Sequence, residues 1–161
     1  MRGSAIDFLL AIIDRAYDKK SWHGPNLRGS IRRVEAATAA ARPAPRRRNI
    51  WEIVVHCAYW KYAVRRRLLG EKRGSFPLKG SNWFARPAIP SADAWAADVA
   101  LLEQTHRALQ AAVAELAPAD LPVIPPGSKV SNWEILAGIA AHDVYHAGQI
   151  QILKRLAAKA N

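Results

Sequence analysis

Cysteine, methionine and histidine are scarce in this chain. Among 161 residues there are one cysteine, one methionine and five histidines. The lone cysteine, Cys57, excludes an internal disulfide framework and fits a reducing compartment. Long apolar runs are missing too. The stretch "AIDFLLAIIDR" near the N-terminus is broken by Asp7 and Asp14. It is too short and too charged for a membrane span and lacks a small-residue cleavage site. The expectation is the first helix of a soluble cytoplasmic protein with no membrane partner. Acidic residues are few beside basic ones: 13 Asp and Glu against 24 Lys and Arg, for a formal charge of +11.

Much of that charge sits in the runs Arg32-Arg33, Arg46-Arg47-Arg48 and Arg65-Arg66-Arg67. Solvated surface accounts for most such runs. The alternative is a non-catalytic basic bundle that binds an acidic partner or nucleic acid. No nucleic-acid motif accompanies the runs, so nucleic acid is not the expected partner.

Half of the residues are apolar, enough for a core. Alanine and leucine dominate over valine and threonine, which leans helical. Four long helices are predicted. The first covers about 4–19 and ends before Gly24-Pro25; a short helical piece follows around 28–40, then the loop "ARPAPRRR". The second starts at Asn49, which forms a capping box with Glu52, and runs to Leu69. The third spans Ser91 to Leu116. The fourth starts at the capping box Ser131/Glu134 and continues to Ala158. Residues 70–90 and 117–130 are long Gly/Pro-rich crossovers. This is an all-α pattern, one four-helix-bundle domain over 1–161.

The fourth helix holds the most pointed feature, "AHDVYHAGQIQILKR". Ile135, Ile139, His142, His146, Gln149, Leu153 and Leu156 recur at steps of four and three, which predicts a core-facing stripe. His142 and His146 therefore share one face, spaced so that both can reach a single ion. Ordered water or hydroxyl groups are the other way to satisfy buried imidazoles. A bundle site draws ligands from more than one helix. His56 lies at the edge of the second helix's stripe of Ile53, Cys57, Trp60, Val64 and Leu68. It sits about one turn from the level of His142 if the second and fourth helices run in the same direction. His106 lies squarely in the third helix's stripe and competes as third ligand, or is a hydrogen-bonded core histidine. His23, in "WHGP", is a turn residue that can also cap a pocket.

Other residues have paired readings. Asp143 lies about 100° around the helix from His142, so it should not bind the same ion; it orients a histidine, or forms a salt bridge at the surface or between helices. Gln149 lines the pocket or is a core-edge amide. Tyr59, Trp60 and Tyr145 shape an aromatic pocket or are plain core. Cys57 faces away from His56 and is not expected to act as a nucleophile. No acid, base or nucleophile is assigned.

"NIWEIVVHCAYWKYAVRRRL", the later "LAGIAAHDVYHAGQIQILKR" and the N-terminal "SWHGPNL" together resemble the DinB-like superfamily. The resemblance covers nearly the whole chain and implies an up-down-down-up four-helix bundle with a long crossover between helices two and three. It also implies a three-histidine metal site at His56, His142 and His146, which favours His56 over His106. Zinc or nickel is the ion implied, with open positions for water or substrate. Some relatives are transferases or isomerases that use low-molecular-weight thiols such as bacillithiol or mycothiol, and dimers are common. The function implied is a metal-dependent enzyme of the thiol S-transferase or hydrolase type acting on a small molecule, as a homodimer.

Overall fold

The computed structural model describes residues 4–159; the ends of the single domain expected over 1–161 lie outside them. Its α-helices are α1 (Ala5–Tyr17), α2 (Leu27–Ser30), α3 (Ala36–Ala40), α4 (Ile50–Leu68), α5 (Ala92–Ala114) and α6 (Asn132–Lys159), a short 3-10 turn spans Pro118–Asp120, and no strand occurs among the described residues. The four long helices start on side-chain caps, which satisfy amides that the first turn leaves unpaired. Ser4 with Asp7, and Asn49 with Glu52, form reciprocal capping boxes. The Ser91 side chain accepts from the Ala94 amide. Glu134 accepts from the Ser131 amide at 2.8 Å. The short helical piece expected at 28–40 is two helices, α2 and α3, parted by residues 31–35, where Arg33 takes a left-handed φ of 59°.

α4 packs most extensively on α5, α1 on α6, α6 on α4 and α1 on α5, which closes a ring of four helices. Paired contacts give their relative directions. Trp51 meets Trp95 and Asp98, while Tyr62 and Arg65 line one depression with Thr105 and Ala108, so α4 and α5 run the same way. Ile53 lies beside Leu153, and His56 and Lys61 reach His142 and Asp143, so α4 and α6 run in opposite directions. The histidines of α4 and α6 therefore do not meet by lying at similar distances from their caps. They meet where two opposed helices pass.

The interior has two apolar clusters. One joins Trp51, Val54 and Ala58 of α4 to Trp95 and Leu102 of α5, and to Ile150 of α6. The other joins Ile13 of α1 to Val64 of α4, Leu109 of α5, and Leu136 and Ala140 of α6. Along α4, α5 and α6, the buried residues that fall between these sets include polar ones: Lys61, His106, Asp143 and His146. Lys61 and Asp143 are fully buried and form an ion pair. Burial pushes the Asp143 carboxyl up against the pull of Lys61.

This layer corrects the stripe expected on the fourth helix. Ile135, Ile139 and His146 of that stripe are buried, but the buried face is centred on a line through Leu136, Ala140, Asp143, Ala147 and Ile150; His142, Gln149 and Leu153 are half-buried at its edge and Leu156 is exposed. Both lines have the same spacing. A carboxylate at the centre of one of them disguises it, and its burial is tolerated because Lys61 neutralises it across the helix interface.

Candidate metal centre

His56 on α4 and His142 and His146 on α6 bring their ring nitrogens together, all within 4.8 Å of one another. The Nε2 atoms of His56 and His142 are 3.0 Å apart, and those of His142 and His146 are 3.1 Å apart. Two nitrogens bound at about 2.0–2.1 Å to one ion lie about 3 Å apart when they subtend roughly 90–100° at it. The separations match such a chelate.

The far side of two rings fixes which nitrogen carries the proton. His56 Nδ1 faces the Asn82 carbonyl at 2.8 Å. A carbonyl only accepts, so Nδ1 donates and Nε2 keeps its lone pair. His146 Nδ1 is 2.7 Å from Gln149 Oε1, which assigns His146 the same tautomer. His142 Nε2 thus sits between two lone pairs. One N–H on His142 can satisfy one of them and not both, whereas a cation satisfies all three. The residues present fit a divalent ion.

Electrostatics agree. Burial, aided by Arg48, holds His56 below the ordinary imidazole value. Burial and the two neighbouring imidazoles push His142 down to about 3. Burial and His56 push His146 down to about 4, against the opposing hydrogen bond to Gln149. All three rings are neutral near pH 7, the form that binds metal.

Asn82 lies in the crossover between α4 and α5 and adopts a left-handed φ of 63°, which asparagine tolerates better than most residues. Its carbonyl orients His56, and its side chain accepts from Trp60 Nε1 at 2.9 Å. The next residue, Trp83, stacks on His56 with ring centroids 3.8 Å apart, and the Arg48 guanidinium lies 4.6 Å over Trp83. A cleft of about 580 Å3 opens beside His146, with Trp83, Tyr145 and Gln149 also on its wall.

A second group, Cys57, His142 and Asp143, also brings possible ligand atoms within 4.8 Å. Its donor set suits a metal less. Lys61 already holds Asp143, and burial pushes the Cys57 thiol well up, so the thiolate that binds metals is disfavoured.

The remaining expected residues scatter. His106 is outside the histidine group and stacks on Tyr17 with centroids 3.7 Å apart. His23 is exposed and lines a different depression, with Trp22 and Ala141. The aromatic pocket expected from Tyr59, Trp60 and Tyr145 does not form as one unit. Tyr59 packs with Phe76 and Phe84, Trp60 approaches His142 at 6.4 Å between ring centroids, and Tyr145 is largely exposed. Tyr59 and Trp60 diverge because side chains on successive helical positions point about 100° apart, and Tyr145 projects from α6 instead. Sequence reasoning missed Asn82, Trp83 and Lys61. The signals available were a Ser-Asn-Trp in a Gly-rich crossover and a lysine set among aromatic and apolar residues in mid-helix, "AYWKYAV".

A family model of the DinB superfamily matches residues 21–150. The chain belongs to the DinB superfamily. No curated protein and no solved structure gives a match. The span shared with the DinB superfamily contains the three convergent histidines and also Asn82, Trp83 and Lys61. Among the described residues of this DinB-superfamily chain, no helix is long and apolar enough to cross a membrane.

Proposed function

We propose that His56, His142 and His146 hold one divalent ion, zinc or nickel, and that the protein is a cytoplasmic metal-dependent enzyme of the thiol S-transferase or hydrolase type. The observation that carries this reading is the convergence of three neutral imidazoles at 3.0 and 3.1 Å beside an open cleft. An ion held by three neutral ligands keeps its charge and can acidify a water or a low-molecular-weight thiol.

The protein's own residues prepare the site. Asn82 and Gln149 hold His56 and His146 in the tautomer that presents Nε2. Such partners fix ring orientation and raise ligand basicity. Trp83 covers the face of His56 and shields it from water. The cleft beside His146 gives a small-molecule substrate its approach. A homodimer belongs to the same reading: Phe8, Trp22 and Trp133 stay exposed on a single chain, and a second copy would cover apolar surface of this kind.

The test is elemental analysis of metal-replete protein purified without a histidine tag. One ion per chain is expected, and its absence would sink the proposal. Parallel assays of thiol transfer to electrophiles and of ester or amide hydrolysis then choose the reaction class.

A further inference from the structure

The cleft beside His146 has a one-sided lining. Its floor is apolar, from Ile53 and Leu153 with the exposed Ile152 at its edge, and Trp83 and Tyr145 form aromatic walls. Arg46, Arg47 and Arg48 stand at its rim, all exposed, and no Asp or Glu lines it among the described residues. The nearest acid to this rim, Glu52, is buried and held by Arg42 at 2.6 Å; Arg48 reaches it only at 3.8 Å. Arg46 and Arg47 make no ion pair among the described residues. Two ring contacts link the rim to the histidines: Arg48 lies 4.6 Å over Trp83, and Trp83 lies 3.8 Å over His56. Arginine binds carboxylates and phosphates through a planar fork of donors, and an apolar floor beside it selects for the body that carries the anion.

We propose that this cleft binds a small molecule with an apolar or aromatic body and an anionic group, and that Arg46, Arg47 and Arg48 hold the anion while the body lies between Trp83 and the floor. The inference rests on the metal-site reading for its catalytic meaning but not for binding. The anion belongs to the thiol or to its electrophilic partner, and the chemistry of capture is the same for both.

The test compares 4-phenylbutanoate with its neutral amide by calorimetry, in metal-replete wild type and in metal-free His142→Ala. The acid is expected to bind about tenfold more tightly, a difference of about 1.4 kcal/mol. That preference should shrink in high salt and fall to about twofold in the exposed-residue variant Arg47→Gln/Arg48→Gln. Displacement of the acid by mercaptosuccinate assigns the anion to the thiol, and no displacement assigns it to the electrophile; either supports the subsite. Equal binding of acid and amide overturns the proposal. So does a preference that the arginine variant leaves intact, or one that disappears with the metal. A preference that survives in a protein that never binds metal supports the anion site while defeating the metal reading.

Discussion

Two histidine environments lie within this bundle, and burial does not tell them apart. His106 is fully buried, while His142 is half-buried. The more buried ring has the simpler chemistry. His106 lies flat against Tyr17, and neither of its nitrogens has a partner among the described residues. Burial and the nearby charge of Lys61 push it down to about 2, so it stays a neutral ring in the core. His142 faces two other imidazoles that each present a lone pair. What separates a candidate ligand from a core histidine is convergence across helices, with the far nitrogens of the two flanking rings, His56 and His146, already occupied. Depth and stripe position do not do so.

The strongest way to break the comparison is to remove one histidine from each environment. His142→Ala should take the metal content from one ion per chain to none detectable by elemental analysis. His106→Ala should leave it at one. Loss of metal in the second variant, with the fold intact by circular dichroism, would show that the two environments are not independent.

Between them lies the buried pair Lys61–Asp143. Lys61→Met strands a buried carboxylate, and the expected loss is about 3–5 kcal/mol. Urea unfolding of the metal-free protein reads it. Lys61→Met/Asp143→Leu should recover most of the loss, because no charge is then left unpaired. If the double variant is as unstable as the single one, the pair is not the source.

A smaller effect is expected at Gln149, which orients His146 without reaching the proposed ion. Gln149→Leu should weaken metal binding by about 10–100-fold and change metal-free stability little. Competition with a chromogenic chelator measures it. Unchanged affinity would mean that His146 needs no partner to hold its tautomer.

Much of this site can be read from the chain, and the remainder shows what sequence periodicity leaves out. The pairs Asn49/Glu52 and Ser131/Glu134 mark the starts of α4 and α6 because capping is local chemistry. His142 and His146 share a turn for the same reason. Which other histidine joins them is not local: spacing alone ranked His106 beside His56, and the family resemblance favoured His56. The opposed directions of α4 and α6 depend on how the crossovers route the chain. Asn82 contributes mainly through a backbone carbonyl, which no residue pattern records. Lys61 and Asp143 are hidden for another reason. Each looks like a surface residue until the other is placed opposite it.

The finest distinction between the two environments is in acid. The folded value of His106 is about 2, against an ordinary 6.5. Between those values the unfolded chain holds a proton that the folded chain refuses, so stability falls as pH drops below about 6.5. From pH 6.5 to 5.5 this one group should cost about 1 kcal/mol. His106→Phe keeps the stacking partner for Tyr17 and removes the titration. Urea unfolding of metal-free wild type and variant, at both pH values, isolates the contribution of His106, because His56, His142 and His146 titrate in both proteins and cancel. The variant should be less acid-sensitive by that amount, and parallel pH dependence in the two proteins would mean that His106 takes up its proton in the folded state.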